Sequence, residues 1–201
     1  TGLIERKVYI ANDLFYESST IYQEKTCMIH VVLYEPEIPA NTGNIMRTCM
    51  AFNCHLHLIE PLGFQLDDKH LKRAGMDYVQ ALNWKTYPDW DAFEKENTGK
   101  MYFVTRYADK TPDAYDYTET EEDIYLVFGK ESTGIAKDIL KDHPDSLIRI
   151  PMVKDARSLN LSNCVALVTY EVLRQKEYAG LSREEVIKGH DFLKNYPEHT
   201  H

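Results

Sequence analysis

The stretch MIHVVLYEPEIPANTGNIMRTCMAFNCHLHLIE, Met28 to Glu60, decides the fold. Ile29–Tyr34 is a near-continuous apolar run of the length that suits a strand buried on both faces. Pro36 and Pro39 interrupt regular structure after it. Asn41-Thr42-Gly43-Asn44 then reads as a turn, with Gly43 free to take a positive φ and Asn44 placed to cap a helix over Ile45–Phe52. His55–Glu60 reads as a second strand, so the stretch is a strand–helix–strand unit.

The same alternation continues outward. Asp67 or Asp68 is placed to cap a helix through Leu71 that ends near Gly75. Val79–Tyr87 reads as a strand, and Pro88 suits the first turn of a helix through Glu96. Met101–Arg106 and Ile124–Phe128 read as strands, the second the most clearly buried in the chain. Gly129–Gly134 reads as a polar loop before a helix over Ile135–Lys141. A last strand is expected over Leu147–Met152 and a long helix over Leu161–Lys176. Ser182-Arg183-Glu184-Glu185 has capping-box spacing and predicts a short C-terminal helix. The fold class is therefore α/β, a mostly parallel sheet flanked by helices. Residues 28–180 form its one domain. Residues 1–27, which lack sustained periodicity, are an N-terminal extension, and 181–201 a C-terminal helix and tail.

A chain of 201 residues, 43% hydrophobic and 27% charged, fits one such domain and excludes a disordered or low-complexity protein. No apolar run approaches the roughly 20 residues that span a bilayer, and the N-terminal residues lack secretory zones. Cys27, Cys49, Cys54 and Cys164 form no C-x-x-C pair and read as reduced thiols of a cytoplasmic protein. His55 and His57 share a strand face without a third ligand at metal spacing, so no metal is expected. The net charge of −9 is concentrated. Residues 107–123 carry seven carboxylates against Lys110 and account for −6 of it, which leaves room for a basic face elsewhere.

Three polar loops follow strands, where open α/β sheets collect ligands. The first is Asn41–Asn44 with Arg47, which the turn reading puts in the first turn of a helix, among backbone N–H groups that attract anions. An ordinary surface arginine beside an N-cap accounts for the same residues. The second is Phe128-Gly129-Lys130-Glu131-Ser132-Thr133-Gly134. Ile124 and Glu131 stand where a nucleotide-phosphate loop requires Gly and Ser or Thr, so the two glycines signal close backbone approach to a ligand or to a neighbouring segment. The third is Ile150-Pro151-Met152 followed by Arg157-Ser158-Leu159-Asn160-Leu161-Ser162-Asn163, where Asn160 or Ser162 is placed to cap the long helix. No G-x-S-x-G or G-x-G-x-x-G motif is present.

In order and spacing, Ile38–Asn44 with Arg47, Phe128–Glu131 with Gly134, and Ile150–Met152 with Ser158–Asn163 resemble the three motifs of SPOUT-class RNA ribose methyltransferases. The resemblance is closest to the YibK/TrmL-like group and covers residues 28–180. It implies a deep C-terminal trefoil knot and a homodimer that binds S-adenosylmethionine. It also implies methylation of the 2′-oxygen of the tRNA wobble nucleotide, a cytidine or modified uridine, in leucine isoacceptors. Carried over by position, Val104, Gly129, Ile150 and Ser158 line the cofactor, and Arg47 is catalytic. Asn41, Arg47, Glu131, Arg157 and Asn160 meet the substrate. The product is S-adenosylhomocysteine, and neither metal nor membrane is involved. Lys69, Lys72 and Arg73, and separately Arg106, Lys154 and Arg157, are candidate phosphate contacts. The apolar excess of the long helix (Val165, Leu167, Val168, Tyr170, Val172, Leu173) packs in the chain's own core or, as the resemblance implies, against a partner subunit in an interface that includes the first motif helix. A family member acting on another tRNA position or on rRNA, or a non-catalytic RNA-binding module that keeps the knot, would carry the same motifs.

Overall fold

The computed structural model describes residues 27–66 and 82–196. The helix expected from Asp67 or Asp68 to Gly75, residues 79–81 of the strand expected at Val79–Tyr87, and the cluster Lys69, Lys72 and Arg73 lie outside the described residues. So do residues 1–26, His199 and His201.

Apolar runs bounded by turn residues become six strands: β1 (Ile29–Tyr34), β2 (His55–Ile59), β3 (Trp84–Tyr87), β4 (Lys100–Val104), β5 (Ile124–Phe128) and β6 (Leu147–Ile148). They form one sheet in the order β3-β2-β1-β5-β4-β6, and all the pairings are parallel. The helices are α1 (Pro39–Ala51), α2 (Trp90–Glu96), α3 (Lys137–Asp142) and α4 (Leu161–Gln175). Alternation along each strand sends residues to two cores. Val31, Leu33, Leu56, Leu58, Leu126 and Phe128 pack under Ile45 and Cys49 of α1 and Val165, Val168 and Val172 of α4. Val32, Ile59, Tyr125 and Val127 pack under Phe93 of α2 and Leu140 of α3. Each such fully buried side chain contributes about 1.5–3 kcal/mol.

Four expectations are corrected. The first helix begins at Pro39, so Asn41–Asn44 lie inside it: Pro39 supplies the helical φ of the first position and Ile38 is the extended N-cap. Asp89, not Pro88, starts α2, its carboxylate accepting from the Ala92 N–H at 2.8 Å. The last strand stops at Ile148: the Arg149 N–H turns to the Lys110 carbonyl at 2.8 Å, and Pro151 has no N–H for a ladder. No helix forms over the described residues 181–196; the Glu185 carboxylate accepts from the Ile187 and Lys188 N–H groups and holds a turn.

On the α2 face a buried polar line crosses three strands. His30 Nδ1 is 2.8 Å from His57 Nε2, and His57 Nδ1 is 3.0 Å from the Tyr87 hydroxyl, which also accepts from the Asn97 amide at 3.2 Å. Asp123 stands 3.6 Å from His30 Nε2. His57 thus finds its partners on neighbouring strands rather than at His55.

Candidate functional site

The chain leaves β1 through α1 towards β2 on one side, and leaves β5 through α3 towards β6 on the other. The adjacent carboxyl ends of β1 and β5 therefore diverge into a crevice, the place where open parallel sheets take ligands. Glu35, at the mouth, has φ 49°, a left-handed conformation unusual for a non-glycine residue. Its N–H donates to the Ile59 carbonyl at 3.0 Å.

Across this crevice the three motif loops are joined by hydrogen bonds. Glu131 accepts from the Glu37 N–H and from the Asn41 amide, both at 2.8 Å. Asn41 in turn accepts from the Asn160 amide at 2.9 Å. Asn160 also caps α4, accepting from the Ser162 N–H at 2.9 Å and its hydroxyl at 2.6 Å. Asn41, Glu131 and Asn160, expected at the substrate, thus form one network whose side chains are largely committed to one another. Charge-assisted bonds of this kind contribute about 1.5–3 kcal/mol each when buried, less where water competes.

Two further straps escaped sequence reasoning. Lys130 Nζ reaches Glu35 at 2.5 Å. Glu37 accepts from the Ser132 N–H at 2.9 Å and hydroxyl at 2.7 Å. The Ser132 bonds hold the Glu37 carboxyl below its ordinary range, and the bond to Glu35 raises the Lys130 ammonium. The alternating acids of Glu35-Pro36-Glu37, facing a lysine and a serine in the second motif, were the signal available for them.

The glycine loop closes on itself. Lys130 and Gly134 form an antiparallel bridge, with Gly134 N–H to Lys130 carbonyl at 2.9 Å. A Cβ at Gly129 would stand 2.2 Å from the backbone of Gly134 and Ile135. The close approach at Gly129 is therefore to a neighbouring segment, and a branched residue there would displace the loop before it touched a ligand.

Val104 pairs in register with Phe128 and with Ile148, so Val104, Gly129 and Ile150 gather at the carboxyl ends of three adjacent strands. All three are half-buried. Ser158 and Arg157 are exposed on the connection to α4. Arg47 is exposed on the solvent side of α1, nine residues into the helix. It is not in the first turn, because the helix starts earlier than the turn reading allowed, so the helix-terminus argument for an anion there falls.

Comparison with known proteins fits this arrangement. The model of the SpoU rRNA Methylase family matches residues 28–170. A relative from Bacillus subtilis (strain 168) is 50% identical over 155 residues, 76% of this chain and 96% of its own length. The tRNA (cytidine(34)-2'-O)-methyltransferase of Escherichia coli (strain K12) is 46% identical over 155 residues, covering 76% of this chain and 97% of that protein. A solved structure described as giving insights into the 2-OH methylation of C/U34 on tRNA aligns with a TM-score of 0.69 at 36% identity, over 75% of this chain and 97% of its own. With the family model covering most of the chain and the motif loops meeting at the strand ends, the chain belongs to the SpoU rRNA methylase family.

Proposed function

We propose that this chain transfers a methyl group from S-adenosylmethionine to the ribose 2′-oxygen of nucleotide 34 of tRNA. The observation that carries the reading is the Glu131–Asn41–Asn160 network, which fixes three motif loops around the carboxyl ends of β1, β4, β5 and β6. Names borne by relatives at this level of identity support the position methylated.

The half-buried strand ends at Val104 and Ile150, with Gly129 between them, fit an adenine, their backbone groups offering hydrogen bonds. When bound there, the cofactor supplies a methyl group made electrophilic by its sulfonium. The protein's task is to align the ribose hydroxyl with that methyl and to help its proton leave. A guanidinium offers donors and no acceptor, so Arg47 is no general base. Its role is to hold a phosphate or polarise the hydroxyl, the proton passing to phosphate or water. Arg157 and Ser158, on the exposed connection before α4, approach substrate and cofactor respectively.

The reading includes a knotted C-terminal segment and a homodimer. Val165, Val168, Val172 and Leu173 of α4 are consumed by the chain's own core, whereas Leu167 and Tyr170 are 53% and 50% exposed. That exposed pair, rather than the whole apolar set, is the surface offered to a second copy. Light scattering at micromolar concentration tests it: a monomer fully active on tRNA contradicts the dimer.

Labelled cofactor incubated with unmodified total tRNA and, separately, with ribosomal RNA tests the reaction. Transfer confined to tRNA is expected. Transfer to ribosomal RNA alone would favour the second reading, which the name of the matched family model raises.

A further inference from the structure

Just past β4 stands a group of exposed residues that the proposed chemistry leaves unused. Tyr107 is 60% exposed, and the Lys137 ammonium lies 4.3 Å from its ring centroid. Arg149 donates a side-chain hydrogen bond to the Arg106 carbonyl and a backbone one to the Lys110 carbonyl. Three separate connections, after β4, at the start of α3 and after β6, thus bring the Lys137 ammonium to the Tyr107 ring and the Arg149 guanidinium to the backbone of the adjacent Arg106.

All three cations are exposed, and none is in an ion pair with a carboxylate among the described residues. Lys85, Lys130, Lys141, Arg174 and Lys194 have such a partner, whereas Lys95, Lys100, Lys110 and Lys154 share the unpaired state, so it is the gathering at one ring that sets Lys137 and its neighbours apart. Asp138, beside Lys137 in sequence, is taken by Lys141 at 3.1 Å. The acidic run that follows leaves by stages. Tyr115 is still at the Leu147 carbonyl, two residues before Arg149, but the Tyr117 N–H bonds Gln175 at the end of α4, and Asp123 accepts from the Met28 N–H before β1. The loop therefore begins beside these cations and carries its last carboxylate to the start of β1.

The group also adjoins the crevice. Thr105, two residues before Tyr107, donates its N–H to the Ile148 carbonyl at 2.8 Å, next to the strand-end residues Val104 and Ile150.

We propose that Tyr107 with Arg106, Lys137 and Arg149 is a docking surface for the RNA substrate, the cations meeting phosphates and the ring stacking under an unpaired base. The proposal rests on the reading of the chain as a tRNA methyltransferase and adds where RNA beyond the target nucleotide lies. Lys137 and Arg149, held in place without a carboxylate partner beside the exposed Arg106, are complementary to a polyanion. An exposed ring among them accepts a base face with little regard to sequence.

The test uses the full chain with tRNA across a series of salt concentrations, with cofactor affinity and melting temperature measured in parallel. The combined variant Arg106→Gln, Lys137→Gln, Arg149→Gln is expected to bind tRNA roughly 10- to 100-fold more weakly at about 0.1 M salt. The slope of log K against log salt should fall by about 2, as three lost phosphate contacts require. Tyr107→Ala should weaken binding roughly 5- to 100-fold with the slope unchanged, the signature of lost stacking. Both should keep wild-type cofactor affinity and melting temperature. Variants that bind tRNA with wild-type affinity and slope, while the wild-type chain methylates tRNA, overturn the surface and leave the reaction standing. A wild-type chain that binds cofactor but neither binds nor methylates tRNA overturns both.

Discussion

At the carboxyl ends of β1 and β5, the buried Asn41 is joined to the half-buried Glu131 and the exposed Asn160, and such hydrogen bonds tie together segments about a hundred residues apart. In the body of the same sheet, on its other face, polar side chains are sealed. His30 and His57 are each 6% exposed, with Tyr125 stacked 4.3 Å from His30 and Phe93 edge-on to His57 at 5.4 Å. The first network can exchange partners with a ligand at its Glu131 and Asn160 ends, where water already competes for its bonds, although Asn41 between them is as buried as the histidines. The sealed one cannot, because a proton added there has no solvent to stabilise it. Location on the sheet thus separates polar residues within reach of a ligand in the crevice from polar residues sealed in the core.

Gly129→Val should show the largest effect at the open end. With backbone 2.2 Å from the new Cβ, the loop must move, so cofactor binding by calorimetry should become undetectable. Overpacking of this kind also costs about 1–3 kcal/mol in urea denaturation. Wild-type affinity in a folded variant would break the assignment of this loop to the cofactor.

Arg47→Ala should lower kcat roughly 10²- to 10³-fold, the scale of a lost charge-stabilising group, with cofactor affinity unchanged. Because Arg47 is exposed on α1, its removal should alter stability by no more than about 0.5 kcal/mol. Methylation at the wild-type rate would remove it from the site.

The sealed end should respond to acid. Burial, then the neighbouring His55, holds His30 down at about 4; burial, then His30, His55 and Lys85, holds His57 at about 3. Asp123 opposes the shift of His30 only in part. Both pKa values lie below the unfolded value near 6.5, so acid drives protons onto the unfolded chain first. Their contribution is fully present above about pH 6.5 and is lost as the pH falls towards 4, at up to ~1.4 kcal/mol per unit per histidine. Urea midpoints measured from pH 7 to pH 5 should fall, and replacing His57 with Gln should flatten that dependence. A wild-type midpoint independent of pH would contradict the sealed state.

The smallest effect is expected from Asn41→Ala. It removes two bonds from a buried amide whose partners are half-buried and exposed, and should cost about 1–2 kcal/mol. A double-mutant cycle with Asn160→Ala should show coupling of about 0.5 kcal/mol or more, as residues in one network do. Strict additivity would mean that the network does not tie the first and third motifs together.

Residues buried on both faces of the sheet are readable from sequence. Ile29–Tyr34 and Ile124–Phe128 are strands over the bounds their apolar runs define. The start of α1 is not readable that way. Asn-Thr-Gly-Asn is turn chemistry wherever the asparagine must satisfy itself locally, and Asn41 becomes helical because its partners are Glu131 and Asn160, 90 and 119 positions away. That one shift moves Arg47 from the first turn to the third. Val104, Gly129 and Ile150, proposed to face the cofactor, are legible only through family resemblance. What gathers them is strand order, which local pattern does not encode. Lys137 and Arg149 were missed for a similar reason: they meet Tyr107 through three connections that no sequence spacing relates.

The most direct test of the account is the structure of the chain in complex with S-adenosylhomocysteine. The account predicts the adenine against the carboxyl ends of β4, β5 and β6, in contact with Val104, Gly129 and Ile150, with the Glu131–Asn41–Asn160 bonds intact. Density for the ligand anywhere else on the chain, or a network broken to admit it, would contradict the account.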